Sequence, residues 1–304
     1  QFPAARRLTP MPASTPPPTI DDVCLAALRL PCSPALLPRL SEALQSESSS
    51  TGEISRIIQI DPALASSTLR LANSAFFGGG NAVETVEQAI LRLGAKEIYR
   101  LAALALLGRW PVDRHSGCNW EASDFCRHAL CCAIATEVLA EITTQVDPQV
   151  AYTAGLTHEL GKLALAHSCG AWFPRIRSCQ MEKQMTWEGA EKEVLGYEHA
   201  EVGARLLRAW RFSENLVATA EFQHRPSSAP AAALPLLVHL HAGRLVAASM
   251  GPGISEDGFL FQVNGHLLLE WNFTPSLLEE AMLVALDRAA QRLGERLSHG
   301  QIQF

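Results

Sequence analysis

From Asp21 onward, apolar residues recur every three or four positions along nearly the whole chain, and convincing strand alternation is nearly absent; only Phe259 to Val263 hints at it. A period of about 3.6 residues over such a length leaves helix packed on helix as the way to bury a core. The expectation is an all-α protein. Before Asp21 the pattern stops. Residues 1–20 carry six prolines among Ala, Ser, Thr and Arg, and proline at that density interrupts helix and strand ladders alike, so this stretch reads as a flexible lead-in.

Helix boundaries are written into the chain. Ser50 and Glu53 form a capping-box pattern ahead of Ile54, Ile57 and Ile58. Asp61-Pro62 is an N-cap followed by proline at the first helical position, and Leu64, Thr68, Leu71 and Ala72 continue the apolar face. Asn73 to Gly80 (NSAFFGGG) terminates that helix, with Asn73 suited to left-handed backbone at its end. Asp61, Pro62, Asn73 and Ser74 are thus read as folding signals. Thr85 and Gln88 repeat the capping box, and Ala95 to Gly108 is the strongest helix of the first half. A polar link near Asp113 to Asn119 separates two halves.

The second half opens on Asp124 with a long helix through His128, Cys131, Ala135 and Val138. Asp147-Pro148 then caps a helix carrying Thr157-His158-Glu159-Leu160-Gly161-Lys162. Further helices are expected near 187–195, 198–211, 213–224 and 233–250, then a Gly-rich loop near 251–265 and a last helix from Pro275 to about Leu297. The division expected is 1–20, an N-terminal subdomain over 21–115 and a C-terminal one over 116–304.

Composition narrows the function classes. The 304 residues are 48% hydrophobic and 18% charged, with no uninterrupted apolar run of membrane-span length. The formal charge of -6 repels a phosphate backbone. The angled helix pair of the first half carries only Arg70 as a base on its second helix, which is too little for groove recognition. A nucleic-acid partner and a membrane are therefore not expected. Eight cysteines without a C-x-x-C pair fall mostly in apolar helical stretches and read as small buried hydrophobes. That usage suits a reducing compartment, and with no basic-then-apolar leader after Gln1 we expect a cytoplasmic protein.

Candidate metal ligands occur in the order His128, His158-Glu159, His199, His224, each on an expected helix. Imidazole and carboxylate ligands from separate helices can converge on zinc, iron or manganese from the inward faces of a bundle. Each residue also has a plainer reading. His128 could be a hydrogen-bonded core residue, His158 and Glu159 a mutual ion pair, His199 a helix opener, and His224 a complement to a helix end. Arg205, Arg208 and Arg211 lie three apart on one helix, as an anion site or as an exposed face.

With the words around it, this order resembles the HD superfamily of metal-dependent phosphohydrolases, and specifically its HDOD branch of bacterial signalling. In the first half ISRIIQIDPALASSTLRLANSAFFGGG and VETVEQAILRLGAKEIYRLAAL carry the resemblance; in the second, AYTAGLTHELGKLAL, YEHAEVGARLLRAW and EFQHRP. It covers about residues 30–250. The resemblance implies two packed helical subdomains, the second a degenerate HD bundle, and metal ligands at His128, His158, Glu159, His199 and His224. It also implies a phosphate contact at Lys162, for which a solvated lysine past a helical glycine is the plainer reading.

Departures from the catalytic pattern bear on activity. An active HD site is expected to place Asp beside its second histidine and a further Asp on a late helix. Here Glu159 stands at the first place, and in LLVHLHAGRLVAASMG the second aligns by eye with Gly243. Losing that carboxylate removes a ligand charge and the group that helps hold a bridging water. The implied function is a non-catalytic signalling module that binds protein partners of its pathway. It could retain a relic divalent metal (iron, zinc, manganese or nickel), and its ligand groove is expected between the subdomains. The rival is a metal-dependent phosphohydrolase acting on a nucleotide or cyclic dinucleotide, with Glu256 or Asp257 as a replacement carboxylate.

Overall fold

The structure is a computed structural model that describes residues 16–30, 36–45, 50–74, 77, 82–112, 117–250 and 262–298. Among them are sixteen α-helices and no strand. The first six are α1 (Ile20–Leu28), α2 (Leu36–Gln45), α3 (Thr51–Gln59), α4 (Pro62–Ala72), α5 (Val86–Leu93) and α6 (Ala95–Leu107). The next six are α7 (Ala122–Thr143), α8 (Pro148–Thr157), α9 (Leu160–Cys169), α10 (Phe173–Lys183), α11 (Trp187–Leu195) and α12 (His199–Ala209). The last four are α13 (Glu214–Glu221), α14 (Leu234–Ser249), α15 (Gly265–Glu270) and α16 (Pro275–Ser298).

The boundary signals act as their chemistry requires. Asp61 Oδ1 accepts from the amides of Ala63 and Leu64 at 3.0 and 3.1 Å, and Asp147 Oδ1 from those of Gln149 and Val150 at 2.8 and 2.9 Å. Each such cap satisfies donors that helix geometry leaves unpaired and contributes about 1 kcal/mol. Thr85 and Gln88 close a reciprocal capping box. Asn73 departs from expectation: its φ is -96°, outside the left-handed region. Its side chain instead accepts from Val83 N at 2.7 Å and donates to Val83 O at 2.8 Å, tying the end of α4 to the start of α5.

Helices α2 to α6 pack on one another, whereas α1 lies against α9 and α12. Tyr197 Oη donates to Pro18 O at 2.6 Å, and Arg205 pairs with Asp21 at 2.5 Å. By packing, the first helix of the expected N-terminal subdomain therefore belongs to the second half. In that half α7 is central, with α8, α14 and α16 around it. The halves meet where Lys96 and Arg100 of α6 pair with buried Glu137 of α7, the lysine at 2.7 Å. Trp110 stacks edge-on against Trp210, with ring centroids 6.4 Å apart.

The expected helix through His158-Glu159 is two helices: α8 ends at Thr157 and α9 begins at Leu160. The segment Ala231–Ser249 has the length and apolarity of a membrane span by composition, yet two thirds of its most apolar window (67%) is buried inside the protein. Glu256, Asp257 and most of the hinted strand fall outside the described residues; Gln262 and Val263 are not in a strand.

Candidate metal centre

Close backbone approach brings the histidines together. A Cβ on Gly155 would lie 2.6 Å from the carbonyl oxygen of Cys132, so glycine lets α8 sit directly on α7. A Cβ on Gly161 would lie 1.8 Å from the carbonyl oxygen of His199, and glycine there lets α9 cross the start of α12 in contact. At the α8–α9 joint the backbone of Glu159 leaves helical geometry (φ -103°, ψ 15°). That break turns the adjacent side chains of His158 and Glu159 toward one polar cluster instead of two helix faces.

His158 is fully buried, and its Nδ1 lies 2.8 Å from Gly155 O. Nδ1 therefore carries the proton, which leaves the Nε2 lone pair facing inward, 3.8 Å from Glu159 Oε1 and with no hydrogen-bond partner among the described residues. Burial first, then the Arg244 guanidinium and His128, depress its pKa to about 3 against the pull of Glu159, so the ring is neutral. His128 is 15% exposed; its Nε2 lies 3.2 Å from Glu159 Oε2 and 3.5 Å from Cys132 Sγ. Burial would lower its pKa, but the Cys132 sulfur and the Glu159 carboxylate outweigh that and raise it to about 10.

Glu159 is 3% exposed, and its Oε1 lies 3.0 Å from Lys162 Nζ and 3.5 Å from Arg244 Nη2. Burial opposes ionisation, but Lys162 and His128 hold this carboxyl well below the usual carboxylate range. The expected phosphate contact Lys162 is thus a buried partner of Glu159, only 4% exposed. Arg205 and Arg208 are not part of the cluster. They sit on the exposed side of α12, paired with Asp21 and with Glu214 and Glu221 respectively.

A second pair stands beside the first. His199 Nε2 and His224 Nε2 are 2.9 Å apart. Glu191 Oε2 accepts from the backbone N–H of His199 at 2.8 Å and from its Nδ1 at 2.6 Å, while Trp187 Nε1 donates to Glu191 Oε1 at 2.8 Å. Burial works against a charge on His199, yet the Glu191 carboxylate raises its pKa. Burial, His199 and Arg244 hold that of His224 well below normal. One of the two Nε2 atoms therefore donates to the other, the tautomer setting which, and the lone pair between them is taken up. Sequence reasoning missed Glu191, although a carboxylate at a core-facing position four residues after Trp187 is a legible signal.

Gly243 is not the site position. A Cβ there would lie 2.2 Å from Thr136 Oγ1, so the residue is a contact between α14 and α7 and an aspartate would not fit. The α14 residue that reaches the Glu159 carboxylate is Arg244, a cation where the HD pattern implies an anion. Next to it lies a cavity of about 350 Å³ lined by Glu188, Gln223, His224, His241, Arg244 and Asn264 among others. The described lining comes entirely from the second half, so the expected groove between subdomains is not where the cavity sits.

The cluster fits one ion better than two. His158 Nε2 is buried with no hydrogen-bond partner among the described residues, and Glu159 Oε2 faces His128 Nε2 at 3.2 Å. His128, Cys132 and His158 offer ligand atoms all within 4.8 Å of one another. For a second dication the fit fails: the His199–His224 lone pair is already used, and Lys162 and Arg244 would repel it. Metal at this centre would be held by His128 and His158, with Glu159 beside them.

An all-α bundle with a histidine and carboxylate cluster at helix joints defines an HD-type helical protein. The HDOD domain profile matches residues 30–226, and the chain belongs to the HDOD family. An uncharacterized protein of Treponema pallidum (strain Nichols) is 26% identical over 221 residues; the match takes in 72% of this chain and 40% of that protein, so the chain spans less than half its length. Among solved structures, an HDOD domain protein of unknown function from Geobacter sulfurreducens is 18% identical, with a TM-score of 0.65 over 92% of this chain and 95% of that one. A candidate phosphohydrolase from Shewanella amazonensis SB2B is 26% identical, with a TM-score of 0.59 over 86% and 98%. A candidate signal transduction protein from Marinobacter aquaeolei VT8 is 22% identical, with a TM-score of 0.68 over 90% and 59%.

Proposed function

We propose that this chain is a non-catalytic regulatory module of bacterial, cytoplasmic signal transduction that acts through signalling proteins of its own pathway. The observation that carries the reading is Arg244. Hydrolysis of a phosphoester by an HD site calls for two metal ions about 3.5–4 Å apart and a bridging hydroxide held by carboxylates. Here the late-helix side chain at the cluster is a guanidinium, and Lys162 adds a second positive charge on the same carboxylate oxygen. Two fixed cations supply the charge balance that metals would bring, without the open coordination positions that activate water.

The likeness to the Shewanella amazonensis candidate phosphohydrolase supports the alternative, a metal-dependent phosphohydrolase acting on a nucleotide or cyclic dinucleotide. Phosphoesterase assays decide between them. The protein, loaded in turn with manganese, iron, nickel and zinc, is given p-nitrophenyl phosphate, nucleoside monophosphates and cyclic dinucleotides. Turnover indistinguishable from that of His158→Ala is expected. Metal-dependent turnover that His158→Ala abolishes would overturn the reading.

A further inference from the structure

We propose that Cys132 is a metal ligand, and that His128, Cys132 and His158 form a mononuclear, thiolate-bearing site for a borderline-soft divalent ion of the zinc class. The HD pattern assigns histidines and carboxylates but no sulfur, and the inference stands whether or not the protein hydrolyses anything.

Geometry carries it. Zn–N bonds of about 2.0–2.1 Å and a Zn–S bond of about 2.3 Å, set at the tetrahedral angle, place nitrogen and sulfur about 3.6 Å apart. His128 Nε2 and Cys132 Sγ, one helical turn apart on the same face of α7, are separated by 3.5 Å. His158 completes the set from the joint just past α8: all three ligand atoms lie within 4.8 Å of one another. Its Nε2 lies 3.8 Å from Glu159 Oε1, beyond hydrogen-bond distance. It is buried to 1% and without a hydrogen bond, while Nδ1 is committed to Gly155 O, the arrangement that fixes a ligating tautomer.

Three protein ligands leave a fourth position, and Glu159 Oε2, 3.2 Å from His128 Nε2, stands beside it. The partial exposure of His128, 15%, gives an ion an entry path. On binding, a metal–sulfur bond replaces the S–H bond of Cys132 and metal–nitrogen bonds form at both Nε2 atoms; the protons of the thiol and of His128 Nε2 pass to solvent. A thiolate beside two imidazoles favours zinc over magnesium, calcium or manganese.

Cobalt(II) titration of the chelator-treated full chain tests the site, because a cobalt–thiolate bond produces a near-ultraviolet charge-transfer band that nitrogen and oxygen ligands do not. One equivalent of cobalt is expected to saturate the band, and zinc to bleach it. Cys132→Ser is expected to abolish the band while Cys131→Ser, the neighbouring thiol on a different helix face, retains it. Circular dichroism confirms that each variant is folded. His158→Ala, with the thiol intact, is expected to weaken cobalt binding at least tenfold. Absence of the band in the parent protein, or its persistence in Cys132→Ser, would overturn the proposal. Phosphoesterase activity plays no part in this readout, so failure here leaves the signalling reading untouched.

Discussion

Glu159 is a carboxylate with almost no water around it, and it is tolerated because Lys162, Arg244 and His128 surround it. Removing one partner from such a buried set leaves the others uncompensated, at a cost of about 3–5 kcal/mol. Glu159→Gln, which keeps the shape and removes the charge, is therefore expected to lose stability on that scale in urea unfolding, with the slope of the transition unchanged. Glu159→Asp keeps the charge and is expected to lose less. The order of histidines made the ligand candidates legible from sequence. Cys132 and Arg244 were not, although a histidine and a cysteine four apart on a helix share a face. Eight cysteines in apolar stretches made a packing role the simpler reading for each, and Arg244 was hidden because an alignment by eye cannot tell which α14 positions turn toward α7.

At the scale of elements, glycines set how closely the helices carrying the site approach. Gly161→Ala would drive a methyl group to 1.8 Å from the His199 carbonyl, so α9 and α12 must separate. Overpacking of this kind costs about 1–3 kcal/mol. The variant is expected to melt several degrees lower, and His199 to move from its place beside the cluster. Scanning calorimetry and a crystal structure of the variant check the two parts. The caps at Asp61, Thr85 and Asp147 were readable because each is a local donor and acceptor rule. By contrast, α2, α10 and α15 were not marked out in the sequence reading. The joint at His158-Glu159 was also missed, since it comes from the angle between α8 and α9 that tertiary packing imposes on one continuous apolar pattern.

For the whole molecule, the two halves are joined through Glu137, buried on α7 and paired with Lys96 and Arg100 of α6. Glu137→Ala is expected to cost about 1–3 kcal/mol, because the mostly buried Arg100 loses a charged acceptor and keeps only Glu97. Faster amide exchange in α6 and α7 than in α12 would locate the loss at that seam. Acid lability follows from the buried neutral histidines, His158 and His224 at the centre and two more on α14. Burial depresses the pKa of His239, which faces Thr143, the Pro235 carbonyl and the Phe273 ring. Burial and Arg244 together bring that of His241, which accepts from Asn264 N–H, to about 4. The unfolded chain takes up protons on both near pH 6.5 while the folded chain does not. Stability measured with chelator present is therefore expected to fall as pH drops below about 6.5, the His241 share levelling off below about 4. A flat profile between those values would contradict the burial of these histidines. The all-α class and the HDOD resemblance were legible because periodicity and motif order are local. The docking of α1 on α9 and α12 was not, because its partners lie more than a hundred residues away.

An HD-type centre in which Lys162 and Arg244 crowd the carboxylate should take up one ion per chain, where hydrolysis requires two. Elemental analysis of untagged protein, purified without chelator and then saturated with zinc and desalted, tests it most directly. Close to one ion per chain is expected, falling to near zero in His158→Ala. Two ions per chain, or none in the parent protein, would contradict it.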